Sequence, residues 1–391
     1  MAVAAPTHAE LVERALALVP KLREHAPRAE ELRRIPDDTL ADLHASGLFR
    51  MLQPKRVGGS ELAYEAIVEL TAIVGRGCGS TAWVLANLAN HHWMLALWPR
   101  QAQDEIWGPS PDTLIGSALM FPAGHAERTE VGYRLSGHWK FSSGIDACGW
   151  CMLGGIAHSS EGELPEYQVF LVPQSDYRII DTWHVAGLRG SGSKDVEVSN
   201  IFVPAHRALS VKDMKGGIAP GGETAALYRL PVFDLFPYVV AGAALGIAQG
   251  ALDSFTEDIR QRITAYSTTL LADYATTQSR LGHAAAAVSA AERILTGNCR
   301  EAMALAANAM PSREHKIRLR RDGAYAAHLC TTAVDLLFGA GGGEFLFNQQ
   351  AIQRSFRDVH AANSHYALAW DIATTMAGKD LLGIAADLPT L

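Results

Sequence analysis

Apolar residues recur at helical spacing from residue 8 to about residue 110. In the segment 35–49 (IPDDTLADLHASGLF), leucines and a phenylalanine follow this spacing, a proline stands near the start and Gly47 supplies a stop signal. Residues 80–98 (STAWVLANLANHHWMLALW) are almost wholly apolar. Because a helix that is apolar on all sides has to be buried, we predict a core helix over these residues.

The period of the pattern falls to two between about residue 113 and residue 213. The segments GYRLSGHWKFSSG, YQVFLVP and KDVEVSNIFVP alternate or cluster β-forming residues between glycine, asparagine and proline. Several short strands with closely spaced turn signals are typical of an antiparallel barrel or sandwich. We therefore predict a central antiparallel β-barrel domain.

Helical patterns return after the glycine-rich stretch 215–223 and continue to the end of the sequence. The segments from Pro237 to about Tyr266 and from 270 to 308 are long and weakly charged, as in a helical bundle. The predicted architecture is mainly α, in the order α–β–α. Its three domains are an N-terminal helical domain (1–112), the central barrel (113–213) and a C-terminal helical bundle (214–391).

Composition and charge exclude several classes of protein. The chain has 34 Lys and Arg against 41 Asp and Glu, a net charge of −7, and 48% hydrophobic residues. This is too apolar for a disordered chain and too acidic for a nucleic-acid partner without a local basic patch. No run of about 18 apolar residues predicts a membrane span, and the N-terminal segment is too charged for a signal peptide. We expect a soluble, cytoplasmic protein.

The cysteine pattern favours packing over redox or metal chemistry. Five cysteines are scattered along the chain, and Cys148 and Cys151 form a C-x-x-C pair. No second pair or nearby histidine pair completes a tetrahedral zinc site. The flanking GWCMLGGIA is typical of a buried strand, where a free cysteine is a common small hydrophobe. We expect no bound metal.

Common cofactor and hydrolase motifs are absent from the sequence. No G-x-G-x-x-G follows a strand in a βαβ unit, and no G-x-x-x-x-G-K-[ST] occurs. The sequence also lacks H-E-x-x-H and G-x-S-x-G, so no motif supports a zinc protease or an α/β-hydrolase function. No nicotinamide site is visible.

Three segments resemble a known family. IPDDTLADLHASGLFRMLQPKRVGG, GLRGSGSKDVEVSNIFVP and QRSFRDVHAA resemble the acyl-CoA dehydrogenase fold and occur in its order. The runs 183–193 (WHVAGLRGSGS) and 139–144 (WKFSSG) resemble its flavin-dependent oxygenase branch. That branch includes the oxygenase components of p-hydroxyphenylacetate 3-hydroxylase and of the steroid-degrading phenol hydroxylase.

The resemblance implies the oxygenase component of a two-component flavin-dependent monooxygenase. Such an enzyme takes reduced FMN or FAD from a separate NAD(P)H-dependent reductase. It reacts with O2 through a C4a-hydroperoxyflavin and hydroxylates a small aromatic substrate, with a phenol favoured. The protein has to hold the adduct, exclude water and orient the substrate. The resemblance also implies a homotetramer or homodimer.

A missing carboxylate separates the oxygenase branch from the dehydrogenases. Many acyl-CoA dehydrogenases carry a glutamate base about nine residues after the arginine of their R-D motif. Counting from Arg357, that position is Tyr366, preceded by His365, and residues 359–370 contain no carboxylate. An acyl-CoA dehydrogenase with bound FAD remains an alternative, because in some members another helix supplies the base. An N- or S-oxygenating enzyme of the same branch and a catalytically idle binding protein remain open as well.

The resemblance points to three catalytic residues. Ser142, in the run FSSG, matches the hydroxyl that contacts flavin N5, with Ser143 as the adjacent alternative. His91 matches a histidine that faces the substrate hydroxyl, and a neutral imidazole there takes or relays its proton. His365 lines the cavity between flavin and substrate. Since neighbours on a helix differ by about 100°, we expect His92 to point away from His91.

Substrate contacts are predicted at three further positions. Ser117 lies near the substrate-contacting serine of the family, and the helix 80–98 brings Trp93 into an apolar pocket. Tyr228 belongs to a Tyr-Arg pair that resembles one in the steroid-phenol hydroxylase. It follows a glycine-bearing stretch of a segment (208–230) that we predict to be a mobile gate over the site.

The flavin phosphate is predicted to bind basic and glycine-rich segments. Arg262 begins an Arg-x-Thr that resembles the phosphate-binding motif of the fold, and Gln278 matches its glutamine. Gly341 and Gly342 lie in a glycine run that allows positive φ and an anion-binding nest. In this fold the corresponding loop meets the cofactor of a neighbouring subunit.

Overall fold

Helices enclose a β-sheet in the order expected from the sequence. The computed structural model describes residues 5–158, 165–263, 268–385 and 390–391. The first helices are α1 (His8–Leu32), α2 (Asp37–Ser46), α3 (Glu65–Gly75), α4 (Gly79–Leu95) and α5 (Arg100–Trp107). After the sheet follow α6 (Val232–Ile259), α7 (Ala275–Ala306), α8 (Arg313–Phe338), α9 (Ala351–Asn363) and α10 (Trp370–Leu381).

The N-terminal helices begin and end where local chemistry requires it. Thr7 and Glu10 form a reciprocal capping box at the start of α1. The predicted stop at Gly47 is confirmed, because this residue ends α2 with a φ of 79°. All residues of α4 are buried, which confirms the predicted core helix.

The strands form an open, mixed sheet, and the predicted closed antiparallel barrel was wrong. The strands are β1 (Ile115–Ala118), β2 (Gly124–Thr129), β3 (Gly132–Ser142), β4 (Trp150–His158), β5 (Glu166–Pro173), β6 (Arg178–Ile180), β7 (Lys194–Pro204) and β8 (Ala208–Ser210). Their order is β6-β7-β3-β2-β4-β5-β8, with β1 beside β4.

Two features of the pairing explain why the sheet is not an antiparallel barrel. Both β1 and β2 run parallel to β4 and share one of its edges, while the other pairs are antiparallel. The end strands β6 and β8 have three residues each, and the described residues show no pairing between them. Alternating apolar residues identify strands, but they do not specify which strands pair or whether the sheet closes.

A β-bulge interrupts β3 just before its end. The register against β7 shifts between Trp139 and Ser142, and Phe141 adopts a φ of 67°. A bulge inserts one residue and reverses the faces of those that follow it. The bulge therefore decides which way the serines at the end of β3 point.

Helix α6 forms the centre of the C-terminal bundle and packs against α3, α4, α7, α8 and α9. It is long and apolar enough to cross a membrane, but 83% of its most apolar window is buried inside the protein, as in a core helix. The close approach to α3 depends on glycine, because a Cβ on Gly246 would lie 2.4 Å from the carbonyl oxygen of Ala72. Through α6, one apolar core joins helices and sheet.

An ion-pair cluster fastens the helices to the sheet. Glu30 of α1 accepts hydrogen bonds from Arg354 and Arg357 of α9. Arg357 also donates to the carbonyl oxygen of Ala186, in the connection between β6 and β7, at 2.8 Å. The arginines hold the pKa of the Glu30 carboxyl below its usual value in spite of its burial. This cluster fixes the segment after Ala186 between α1 and α9.

Candidate active site between helix α4 and the sheet

One face of α4 covers the ends of β1 and β3. The indole nitrogen of Trp83 donates a hydrogen bond to Ser143 Oγ at 2.9 Å. The next residue, Val84, and Leu88 one turn after it pack so closely on Gly144 that a Cβ there would lie 2.8 Å from Val84. His91 completes this face by contacting β1. Helical periodicity thus places Trp83, Val84, Leu88 and His91 against the sheet.

His91 is held as a neutral imidazole with one free nitrogen. Its Nδ1 lies 2.6 Å from the carbonyl oxygen of Ile115, which can only accept, so Nδ1 carries the hydrogen. Burial lowers the pKa of His91 to about 4. Nε2 therefore offers a lone pair, and it is buried without a partner among the described residues. An unpaired buried polar atom is costly, which is typical of a group that meets a ligand.

His92 points away from His91, as the helical geometry predicts. Its Nδ1 accepts a hydrogen bond from the indole nitrogen of Trp107 at 3.1 Å and lies 3.3 Å from Gln53 Nε2. The imidazole stacks on the Trp107 ring with the centroids 6.1 Å apart. His92 is thus part of the packing between α4 and α5.

The two serines at the end of β3 face opposite sides of the sheet. Ser142 is completely buried, and its Oγ lies 3.8 Å from Cys151 Sγ in the interior of the sheet. Ser143 points towards α4 and contacts Trp83 and Ser193. The bulge at Phe141 causes this reversal. The contacts favour Ser143 over Ser142 as the flavin-contacting serine, although that contact itself stays a prediction.

His365 joins this group through aromatic rings. It lies just after α9, with its ring centroid 5.6 Å from that of Trp83 and 5.6 Å from that of Phe236. Its Nδ1 accepts a hydrogen bond from the backbone N–H of Ala367 at 3.1 Å. In the neutral ring the hydrogen is therefore on Nε2. Burial lowers the pKa of His365 to about 4, so the ring is neutral near pH 7.

The two histidines are complementary in their hydrogen bonding. Nε2 of His91 accepts a hydrogen bond, and Nε2 of His365 donates one. A site of this kind can polarise a hydroxyl group at one side and donate to an oxygen at the other. Sequence reasoning missed Trp83 and Phe236, which connect the group. The sequence marked these two positions only by their aromatic character. Trp83 lies two helical turns before His91, and Phe236 lies near the start of α6.

Ser117 lies on the α4 side of the sheet. A Cβ on Gly116 would point to Ile145, Ser142 and Cys148 in the sheet interior. Since successive side chains of a strand alternate, Ser117 points to the opposite face, the one that α4 covers. Ser117 and Ser143 therefore share a face with His91, as a substrate contact would require.

Trp93 lies on α4 and Tyr228 in the turn just before α6, and both are held by backbone carbonyls. Trp93 Nε1 donates to Leu227 at 2.7 Å, and the Tyr228 hydroxyl donates to Leu52 at 3.1 Å. Both rings are buried. These contacts are those of core residues with satisfied polar groups, and a role in substrate binding stays a prediction.

The segment predicted as a gate is fastened to α5 and its neighbours. Gly221 donates its N–H to the carbonyl oxygen of Leu97 at 2.9 Å. Glu223 forms ion pairs with Arg56 at 2.7 Å and with Arg100 at 3.1 Å. Opening of this segment would have to break these contacts, and gating stays a prediction.

The predicted phosphate-binding residues partly come together at the far end of α6. The Arg262 guanidinium lies 4.6 Å above the ring of Phe345 and pairs with Asp258, while its Nη1 is buried without a partner among the described residues. Gly341 packs on the same ring, because a Cβ there would lie 1.9 Å from it. Gly342 follows with a φ of 63°, the backbone sequence of an anion-binding nest.

Gln278 and Thr264 stand apart from this arrangement. Gln278 is exposed and donates to the carbonyl oxygen of Ala272 at 3.0 Å. Thr264, the last residue of the predicted Arg-x-Thr, lies outside the described residues. A role of Gln278 at a phosphate stays a prediction.

The two groups of site residues lie far apart within one chain. Phe236, beside His365, and Phe255, beside Phe345, are 19 positions apart on α6. A rise of 1.5 Å per residue separates them by roughly 28 Å. FMN is much shorter. An FMN beside the His91 group of one chain is therefore too short to reach Arg262 of the same chain.

The cysteine pair is part of the sheet interior. The five cysteines are free and buried, and the Cys148 thiol donates to the carbonyl oxygen of Gly144. Burial raises the pKa of the Cys151 thiol to about 12. The packing interpretation is therefore confirmed. Among the described residues, no three His, Cys, Asp or Glu side chains are grouped as metal ligands.

Comparisons with known proteins identify the fold family. The family models "Acyl-CoA dehydrogenase, N-terminal domain" and "Acyl-CoA dehydrogenase, C-terminal domain" match residues 6–110 and 238–370. The flavin-dependent monooxygenase oxygenase subunit HsaA of Rhodococcus jostii is 37% identical over 95% of this chain and 98% of its own length.

Two further relatives are named as oxygenase components, and a third similar protein has a structure with bound flavin. The FADH2-dependent resorcinol hydroxylase of a Rhizobium species is 33% identical over 96% of this chain and 95% of its own. The p-hydroxyphenylacetate 3-hydroxylase of Acinetobacter baumannii is 30% identical over 97% and 90%. The structure of XiaF from a Streptomyces species, a complex with FADH2 and glycerol, has a TM-score of 0.91 at 30% identity and covers 98% of both chains. The chain therefore belongs to the flavin-dependent monooxygenases of the acyl-CoA dehydrogenase fold, the family of these oxygenase subunits.

Proposed function

We propose that this enzyme hydroxylates a small phenolic substrate with O2 and a reduced flavin, FMN or FAD, delivered by a separate NAD(P)H-dependent reductase. Two relatives carry the phenols resorcinol and p-hydroxyphenylacetate in their names, and both are named as oxygenase components. An oxygenase component needs another protein to reduce its flavin. The single observation that carries the phenolic substrate is the free, buried Nε2 of His91.

The residues of the two groups fit a flavin. Nε2 of His91 and Nη1 of Arg262 are both buried polar atoms without a partner among the described residues. Ser143 and His365 would hold the ring, and Arg262 with the Gly341–Gly342 turn of another copy of the chain would hold the phosphate. Bound reduced flavin supplies the activation of O2, which no amino-acid side chain provides.

The side chains of this enzyme orient the substrate and control its proton. His91 stays neutral above pH 5, because its pKa is about 4, so its lone pair is available throughout the physiological range. A phenol hydroxyl that donates to Nε2 is polarised towards phenolate, the more nucleophilic form. The Nδ1 hydrogen bond to Ile115 fixes the ring in the required orientation. Trp83 and Phe236 cover His365 and exclude water from that side of the site.

The test is hydroxylation by the purified enzyme with reduced flavin. Reduced FMN or FAD is mixed with air-saturated buffer and a panel of phenols, and products are identified with ¹⁸O2. Incorporation of one labelled oxygen into a phenol supports the proposal. An amine or a thioether that is oxidised in place of every phenol would contradict the phenolic substrate and support N- or S-oxygenation.

An acyl-CoA dehydrogenase activity is the second candidate, which the fold itself keeps open. Residues 359–370 contain no carboxylate, and Tyr366, at the position of the usual base, is largely exposed. Anaerobic mixing of the FAD-loaded enzyme with acyl-CoAs of several lengths distinguishes the two activities. We expect no bleaching of the flavin, and bleaching would reject the oxygenase proposal.

A further inference from the structure

Two serines outside the predicted site are hydrogen bonded in series to Ser143. Ser193 Oγ lies 2.8 Å from Ser143 Oγ, and Ser191 Oγ lies 2.8 Å from Ser193 Oγ. Trp83 Nε1 reaches the same Ser143 oxygen from α4. This series (Ser191, Ser193, Ser143) connects the GLRGSGS motif to the candidate active site.

The backbone of the motif is rigidly held between two helices. Leu188 donates its N–H to Asp358 Oδ1 at 2.6 Å. Gly187 lies against α9, where a Cβ would be 2.1 Å from the Arg357 carbonyl oxygen. Gly190 lies against α1, where a Cβ would be 2.8 Å from the Cβ of Ala29. Gly144 donates its N–H to the Ser191 carbonyl at 2.9 Å, which ties the motif to the end of β3. The serine hydroxyls are therefore fixed with respect to Ser143.

Burial decides the direction in which the three hydroxyls donate. Ser191 is 0% exposed and Ser193 is 2% exposed, whereas Ser143 is only partly buried. If Ser143 donated to Ser193 and Ser193 to Ser191, the Ser191 hydrogen would be buried with no acceptor among the described residues. An unpaired buried hydroxyl costs about 1–3 kcal/mol. In the opposite direction, both buried hydrogens have acceptors and the Ser143 hydrogen is left at the site.

We propose that Ser191 and Ser193 are positioning residues that make Ser143 a hydrogen-bond donor to the flavin. Ser143 Oγ accepts from Ser193 and from Trp83, which uses both of its lone pairs. Its single hydrogen then points to the remaining side, where an acceptor of the cofactor, flavin N5, would bind. This inference rests on the proposed function. It adds two residues that act through Ser143 and touch neither substrate nor cofactor.

The test compares the affinities for oxidised and reduced flavin. Oxidised flavin presents a lone pair at N5, and reduced flavin carries a hydrogen there. We expect Ser193→Ala to raise the dissociation constant of oxidised FMN or FAD by about three- to tenfold, the size of one net hydrogen bond, and that of reduced flavin by less than about twofold. Titrations are followed by flavin fluorescence in air and by absorbance under anaerobic conditions.

A double-mutant cycle shows whether Ser193 acts through Ser143. In a Ser143→Ala background, Ser193→Ala should have no further effect on the dissociation constant of oxidised flavin. Ser193→Thr keeps the hydroxyl and should show the wild-type ratio of the two affinities. This variant also tests the inference if the alanine variant does not fold. An equal loss of affinity for both redox states, or an effect that persists without Ser143, would overturn the inference. If the wild-type enzyme binds neither form of flavin, the proposed function is overturned together with this inference.

Discussion

At the residue scale, the direction of single side chains decides the chemistry of the site. Ser142 and Ser143 are neighbours in the sequence, yet one hydroxyl lies beside Cys151 in the sheet and the other beside Trp83. Strict alternation from Trp139 would bury Phe141 and Ser143, but the bulge exposes Phe141 and buries Ser142. The F-S-S-G pattern identified the end of β3 as part of the site, and the bulge determines that Ser143 faces α4.

Substitution of the two serines separates these alternatives. We expect Ser143→Ala to raise the release of H2O2 per reduced flavin consumed by at least about threefold, the size of one hydrogen bond from the Ser143 hydroxyl to an oxygen atom of the oxygenated flavin. Ser142→Ala, the matched control, should leave the fraction of H2O2 unchanged. The measurement is the ratio of hydroxylated product to H2O2 in single-turnover mixing. The opposite ranking of the two variants would return the flavin contact to Ser142.

The buried histidines make the stability of this enzyme depend on pH. Burial lowers the pKa of His92 to about 3, against 6.5 for a free imidazole. Below pH 6.5 the unfolded chain therefore binds a proton that the folded chain does not, so this histidine destabilises the fold increasingly as the pH falls towards 3. A raised pKa of about 6 at buried Asp358 acts in the opposite direction, because the folded state then binds the extra proton.

His92→Gln isolates this effect, since the glutamine oxygen can accept the Trp107 indole hydrogen. Relative to the wild type, we expect the variant to gain about 1 kcal/mol in the free energy of unfolding as the pH falls from 6.5 to 5.5. Urea denaturation of both proteins at pH 7.5, 6.5 and 5.5 measures the difference. Parallel pH curves would show that His92 is protonated in the folded state.

At the scale of elements, glycines allow the connection between β6 and β7 to enter the space between α1 and α9. The sequence run GLRGSGS was informative as a resemblance, but its contacts depend on a helix about 160 residues before it and another about 170 residues after it in sequence. The pairing of the strands in the sheet likewise depends on residues that are distant in sequence. Its strands were predictable from their period, and their parallel pairing with β4 was not.

Gly187→Ala tests the packing of this connection. A methyl group 2.1 Å from the Arg357 carbonyl oxygen has to displace backbone, so we expect a loss of about 1–3 kcal/mol in the free energy of unfolding. Gly282→Ala is the matched control. It lies within α7 with nothing near its Cβ position and should stabilise the enzyme by about 0.5–1 kcal/mol. Thermal unfolding measures both, and a neutral Gly187→Ala would mean that the connection moves freely.

At the scale of the whole molecule, α6 separates the histidine group from the phosphate group by roughly 28 Å. We therefore predict that two copies of the chain, each supplying one part, form a complete FMN site. The sequence placed Arg262 and His91 in one site by resemblance alone. The length of a continuous helix is the reason to expect them in different copies.

Mixed oligomers test this division. We expect His91→Gln to lower hydroxylation by ~10²–10⁴ and Arg262→Ala to weaken flavin binding. When the two variants are denatured together and refolded at equal amounts, random pairing in a two-fold dimer should restore about a quarter of the wild-type activity, because half of the dimers contain one intact site.

The control mixes His91→Gln with His365→Gln, which lie in the same group of one chain. No hybrid site from these two variants is intact, so activity should stay at the level of the single variants. Recovery in this control, or none in the first mixture, would place Arg262 and His91 in the same chain's site.

The sequence by itself determined the elements and the kind of chemistry. The period of apolar residues identified the buried α4 and the strands, and short motifs identified the family, since both are local properties of the chain. Tertiary structure alone decided which serine faces α4, which tautomer His91 adopts and that the sheet stays open. Each of these depends on a partner far away in sequence, such as the Ile115 carbonyl or the register of β7, and no local pattern encodes such a contact.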